Sequence, residues 1–143
     1  MTAVPNPWTA LGNRDDLVLV RAPIAERGRY YHHLRSIVVR AGMLLVEERS
    51  TLWHELHHAD RGDTRCAADE LEARQEAACE RAAARRAIPI RALLDAARWA
   101  RGHADAADAL KVTPDLLEVR LQHLHPSERH HLRRVINERG DQP

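Results

Sequence analysis

The sequence predicts an α+β fold, and three observations carry that prediction. Up to Gly42 the chain offers short β-rich runs cut by Pro23 and Gly28. Beyond Gly42 the remaining hundred or so residues place apolar side chains at helical spacing. The whole chain has three Trp, two Tyr and no Phe, so its core must be filled by Leu, Val, Ile and Ala, a composition that favours helices.

Taken in order, residues 1–14 carry Pro5 and Pro7 and read as an arm with one helical turn from Trp8 to Leu11. The run Leu17 to Val20 is β-rich and Pro23 closes it. Arg29 to His33 and Ile37 to Val39 follow as two further short strands joined by a tight turn, which predicts a three-stranded antiparallel sheet. A sheet that small needs helices over one face. Met43 to Asp60 supplies the first, with apolar residues at 44, 45, 52, 53 and 56, and Gly62 stops it. Cys66 to Ile88 is a long alanine-rich helix ended by Pro89. Ile90 to Arg101, His103 to Leu110, Pro114 to His123 and Pro126 to Glu138 complete the chain, with Thr113 as N-cap before Pro114. The domain reading is an arm (1–14), a core of sheet and two helices (15–89) and a helical C-terminal subdomain (90–143).

Composition excludes several classes. The 143 residues hold 22 Lys plus Arg against 21 Asp plus Glu, a net charge of +1, which removes nucleic-acid binding driven by bulk charge. No apolar run approaches the roughly 20 residues of a membrane span. The start, MTAVPNPWTALGNRDD, lacks a basic region followed by an apolar one, so no signal peptide is expected. A reducing cytoplasm is the expected compartment, with Cys66 and Cys79 as free thiols.

The chemistry is concentrated in Trp53-His54-Glu55-Leu56-His57-His58, which contains His-Glu-x-x-His. On a helix His54 and His58 lie one turn apart on one face and can share a metal ion. Glu55 lies about 100° around the helix from His54, within reach of a water activated by that metal, and is the candidate general base. A catalytic zinc site wants a third protein ligand and an open position. Candidates on the next helix are Asp69, Glu70, Glu72, Glu76 and Glu80, with Cys79 as a softer competitor. Ala73, Ala77 and Ala84 would let the two helices approach, but spacing alone leaves Glu72, Glu76 and Glu80 open. Asp60 and Asp63 read either as acceptors orienting a ligand imidazole or as helix-ending residues.

Arg49 to His58, RSTLWHELHH, followed by Arg74 to Pro89, RQEAACERAAARRAIP, resembles the ImmA/IrrE family of metallopeptidases. The resemblance spans roughly residues 15 to 125. It implies a zincin-like helix bearing His54, Glu55 and His58, with Glu76 as third ligand and Ala83-Ala84 and Ile88-Pro89 completing the second motif. This gluzincin-type set takes zinc, with manganese or iron as alternatives. The implied activity is a zinc-type endopeptidase that cleaves a helix-turn-helix repressor of phage, mobile-element or stress genes and so relieves repression. Tyr30, Tyr31, His32 and His57 are candidates for oxyanion support or for a place beside the ligands. His57 replaces the small residue usual before the second histidine, and Ala87 a larger apolar one.

Ala107 to Leu121 has the outline of a helix-turn-helix, and five Arg from Arg120 to Arg139 face only Glu128 and Glu138. The alternative function is therefore a non-catalytic, metal-binding transcriptional regulator that contacts DNA or a repressor through these helices. A helical cap burying Leu116, Leu117, Leu121 and Leu124 is the preferred reading of the segment. His123, His125, His130 and His131 lack the i,i+4 pairing of a second metal site.

Overall fold

A computed structural model of the chain describes residues 2–64 and 69–141, with the backbone alone for Asp69 and Glu70. Cys66, the start of the long helix predicted from it, and the candidate ligand side chains of Asp69 and Glu70 lie outside the described residues.

The fold is α+β. Helix α1 (Pro7–Gly12) opens on Asn6, whose side chain accepts from the Trp8 and Thr9 amides, with Pro7 at the first helical position. Strands β1 (Val18–Ala22), β2 (Gly28–Tyr31) and β3 (Ser36–Arg40) follow. Six further helices complete the chain: α2 (Leu45–Arg61), α3 (Asp69–Ala87), α4 (Ile90–Trp99), α5 (His103–Leu110), α6 (Pro114–Gln122) and α7 (Pro126–Gly140). None of the helices among the described residues is long and apolar enough to cross a membrane.

The sheet is mixed rather than antiparallel. Its order is β1-β3-β2, with β3 antiparallel to β2 but parallel to β1. After Pro23 the chain crosses to the far edge to form β2, a single 3-10 turn at His32–Leu34 reverses it, and β3 returns into the gap. Arg35 makes that reversal in the left-handed region at φ 48°. The most apolar strand thereby gains partners on both edges, and its alternate residues Ile37 and Val39 are fully buried. Val18 and Val20 of β1 point to the open face and stay exposed.

Helix α2 packs on β2 and β3 through Leu52 and Leu56, and Gly62 ends it at φ 67° by donating to Ala59 and His58 carbonyls. Helix α3 lies against α2 with Cys79, Ala83, Ala84 and Ala87 buried, whereas Ala73 and Ala77 of the predicted small-residue stripe are exposed. The buried face is rotated so that Glu76 and Glu80, not the alanines beside them, turn toward α2.

The C-terminal helices close the core with Leu93, Ala96, Leu116, Leu117 and Leu124. Thr113 caps α6 by accepting from the Leu116 amide, and its own amide donates to Ser50 Oγ at 3.2 Å, which ties α6 to α2. The N-terminal segment is fastened as well: Arg49 donates to the Pro5 carbonyl and stacks over Trp8. Trp99 is a rim residue, 42% exposed.

Gly28 marks where β2 approaches α2 most closely. A Cβ there would lie 2.6 Å from Thr51 Cγ2 and 3.1 Å from Glu55 Cγ. Gly28→Ala is expected to cost about 1–3 kcal/mol by overpacking. Adding Thr51→Ser, which removes the clashing methyl, should restore most of it, and a double variant no more stable than the single one would contradict this packing.

Candidate metal centre

Two turns of α2 and two turns of α3 build the centre. His54 and His58 stack on one face of α2, their rings edge-on at 4.9 Å between centroids. Their Nε2 atoms are 3.1 Å apart. Glu76 reaches across from α3 to both: Oε2 is 2.9 Å from His54 Nε2, and Oε1 is 2.8 Å from His58 Nε2. Three side chains that can each offer a metal-binding atom therefore meet at one point.

The other ring nitrogens are held by carboxylates. His54 Nδ1 lies 3.0 Å from Glu80 Oε2, and His58 Nδ1 lies 3.0 Å from Asp63 Oδ2. A carboxylate at Nδ1 fixes the proton there and turns the Nε2 lone pair toward the shared point. Spacing does not distinguish Glu76 from Glu80, yet they have different positions: Glu76 contacts both Nε2 atoms, and Glu80 only one Nδ1. Asp63 takes the orienting part of its two readings. Asp60 does not, since it pairs with Arg14 and Arg86. Cys79, fully buried, places Sγ 3.3 Å from His58 Nδ1 and 3.7 Å from Asp63.

The donor set fits a divalent ion. Tetrahedral ligands at roughly 2.0–2.1 Å stand about 3.3 Å from one another, a few tenths beyond the separations here. Among the described residues, the groups able to hold a metal are His54-His58-Glu76 and His58-Asp63-Cys79; the C-terminal histidines enter neither. His123 contacts the Val119 carbonyl, and His125 caps α7.

Charge is concentrated where the donors meet. Burial opposes the imidazolium of His54, but Glu76, Glu80 and Glu55 outweigh it and raise its pKa to about 10. For His58, burial is likewise outweighed, by Cys79, Glu76 and Glu55, and the pKa rises to about 11. Hydrogen bonds from both imidazoles push Glu76 well below the usual carboxylate range.

Glu55 is different from its neighbours. It is 5% exposed. Burial pushes its pKa up to about 7, partly offset by the two imidazoles. Its carboxyl faces two adjoining clefts, of about 280 and 340 Å³, which share Glu26, Gly28, Glu55 and Glu76.

The other sequence candidates are not at the centre. Tyr30 bonds His32 Nδ1 through its hydroxyl at 3.0 Å. Tyr31 packs edge-on to His33 with Arg29 over its ring. His57 is partly buried, its pKa lowered by burial and by Arg61. Tyr30, Tyr31, His32 and His57 line neither cleft. Glu26 is the residue that sequence reading missed. It lies in the irregular 23–27 connection, where no periodicity marks it, and only Gly28 two positions on hints at a close approach.

No family model, curated protein or solved structure matches the chain. The chemistry of the centre therefore rests on its own atoms, and its orienting carboxylates offer a direct check. Glu80→Gln and Asp63→Asn are each expected to weaken zinc binding by about 10–100-fold. Competition titration with a chromogenic chelator measures this, and an unchanged affinity in both variants would remove the orienting role.

Proposed function

We propose that the chain is a metal-dependent endopeptidase of zinc type that cleaves a helix-turn-helix repressor. The observation that carries this reading is the convergence of both imidazole Nε2 atoms and the Glu76 carboxylate beside the buried Glu55. The paired motifs resembling the ImmA/IrrE family supply the repressor as substrate, and a zincin-like arrangement of sheet and helix belongs to the same proposal.

His54, His58 and Glu76 would hold the ion, and Glu80 and Asp63 would keep the imidazoles aimed. When bound, a divalent ion supplies Lewis acidity to a peptide carbonyl and makes water easier to deprotonate. Glu55 takes a proton from water at a carboxylate oxygen and later releases it to the departing amine. Its burial, which raises its pKa, strengthens it as the base. The paired clefts offer room for substrate on either side, and β2, an edge strand bonded only to β3, carries Gly28 and Arg29 into the cleft wall. An extended peptide can pair with such an edge.

The DNA-binding alternative loses part of its basis. Of the five arginines counted from 120 to 139, Arg120 is buried against Glu128, and Arg139 donates to the carbonyls of Ala97 and Ala100. The test is incubation of the zinc-loaded protein with the repressor encoded beside its gene. Cleavage that a chelator abolishes and zinc restores is expected. Tight duplex DNA binding with the repressor left intact would overturn the proposal in favour of the regulator.

A further inference from the structure

Cys79 has no part in the proposed chemistry, yet its sulfur completes a second set of metal donors. His58 on α2, Asp63 in the loop after it and Cys79 on α3 bring Nδ1, Oδ2 and Sγ together. Nδ1 and Oδ2 are 3.0 Å apart, and Sγ lies 3.3 Å from Nδ1 and 3.7 Å from Oδ2. Around a tetrahedral zinc, nitrogen and oxygen ligands at roughly 2.0–2.1 Å stand about 3.3 Å apart, and a sulfur at roughly 2.3 Å stands about 3.6 Å from either. The three separations keep that order, each within a few tenths of an ångström.

Burial and pairing separate this set from a chance meeting of surface groups. Cys79 is fully buried, His58 is 7% exposed and the Asp63 side chain 10%. A buried free thiol ordinarily packs as a small apolar group, whereas this one meets a ring nitrogen and a carboxylate oxygen. Arg61 approaches the other Asp63 oxygen, Oδ1, at 3.4 Å and so leaves Oδ2 to the set. The two donor sets also use opposite ring nitrogens of His58: His54 and Glu76 meet it at Nε2, Asp63 and Cys79 at Nδ1. One imidazole can therefore serve both positions without moving. His58 and Asp63 line the smaller cleft, which gives an ion a way in.

We propose that His58 Nδ1, Asp63 Oδ2 and Cys79 Sγ form a second metal position, for a thiophilic divalent cation such as zinc or cadmium. The sulfur selects the class of ion, since a thiolate favours zinc and softer ions over magnesium, calcium and manganese. Binding releases the thiol proton and the Nδ1 proton to solvent, so that S–H and N–H bonds give way to bonds to the ion. With Nε2 also on a metal, His58 bridges the two positions as an imidazolate. The ion then holds the His58 ring from behind, as the Asp63 carboxylate otherwise does through its hydrogen bond. The proposal does not depend on the peptidase reading, because these donors can be filled whatever chemistry the first position performs.

Cadmium is the probe, since a thiolate bound to it absorbs in the ultraviolet by charge transfer and gives a cadmium NMR shift unlike that of nitrogen and oxygen ligands. The full-length chain, stripped with a chelator and kept reduced, is titrated with cadmium chloride. One ion per donor set is expected to bind, with the charge-transfer band present. Cys79→Ser should lose the band and one ion. Glu76→Gln, which meets His58 only at Nε2, should lose one ion and keep the band. Cys66→Ser should keep both ions and the band, which assigns the sulfur to Cys79. Asp63→Asn should weaken the binding that produces the band by about tenfold or more. Circular dichroism of the metal-free Cys79→Ser chain checks its fold. If serine disrupts the packing, cadmium NMR of Cys66→Ser, whose one remaining thiol is Cys79, reads the sulfur directly.

Absence of the band, its survival in Cys79→Ser or its loss in Cys66→Ser would overturn the proposal. So would its loss in Glu76→Gln, which would put the sulfur on the ion of the first position. The peptidase reading fails separately. If the repressor is cleaved by a chain that binds no cadmium through sulfur, the second position is wrong and the reading stands. If cadmium binds through Cys79 and the zinc-loaded chain cuts no repressor, the second position stands and the reading is wrong.

Discussion

Glu55→Gln is expected to keep its metal and lose cleavage by about 10²–10⁴-fold. The two halves of this result come from different atoms. The metal is retained because the three converging donors are His54, His58 and Glu76, and Glu55 is not among them. Cleavage is lost because Gln fills the same buried space yet cannot accept and return a proton. The position suits that task unusually well. At 5% exposure, burial raises the pKa of Glu55 and makes its carboxylate a stronger base. An exposed Glu near 4.5 would be a much weaker base. Metal content by atomic emission and repressor cleavage on a gel measure both halves. Undiminished cleavage in the metal-loaded variant would remove Glu55 from the chemistry, and loss of the metal would place it among the ligands.

What the sequence could and could not reveal follows from the range of each interaction. The helix bearing His54, Glu55 and His58 is a local object, and so are the Thr113-Pro114 start of α6 and the Gly62 stop of α2; spacing and caps within a few residues specify them. Strand order is not local. The Ile37 and Val39 alternation identifies β3 as a strand, but nothing within it says that it pairs with β1 on one side and β2 on the other. That depends on the 23–27 crossing, which carries no period. The proposed third ligand is an intermediate case. Glu76 and Glu80 are one turn apart on the same face of α3, so both reach His54, and only ring orientation separates their contacts. Asp63, in the loop after α2, fixes the other ring, that of His58. Arg120 shows the reverse failure: counted with a basic stretch, it belongs to the core, because its partners are a carbonyl 32 residues before it and a carboxylate on the next helix.

Arg120→Ala is expected to be the most destabilising single change outside the centre, at about 3–5 kcal/mol. Arg120 is 3% exposed. Its Nε donates to the Ile88 carbonyl at 2.8 Å, and its two Nη atoms donate to Glu128 at 3.1 and 2.7 Å. Glu128 also accepts from the His125 amide at 3.0 Å, so one planar fork fastens the α3–α4 corner and the start of α7 to α6. Truncation leaves the Ile88 carbonyl and the Glu128 carboxylate without their donor. Replacing both partners, as Arg120→Met with Glu128→Leu, should recover much of the loss, because no charge is then left unpaired. The pH dependence has a definite sign. The Arg120 hydrogen bond holds Glu128 down at about 2, below the 4.5 of an ordinary glutamate. A carboxylate with a depressed folded pKa stabilises fully above about 4.5 and loses that contribution as pH falls toward 2. In urea titrations the gap between wild type and Glu128→Gln should therefore close across that window, and a gap that stays constant would mean the pair contributes nothing through charge. The same corner bears on the centre. Ile88 follows directly on the end of α3, the helix that carries Glu76 and Glu80, so Arg120→Ala should also weaken zinc binding even though Arg120 touches no ligand.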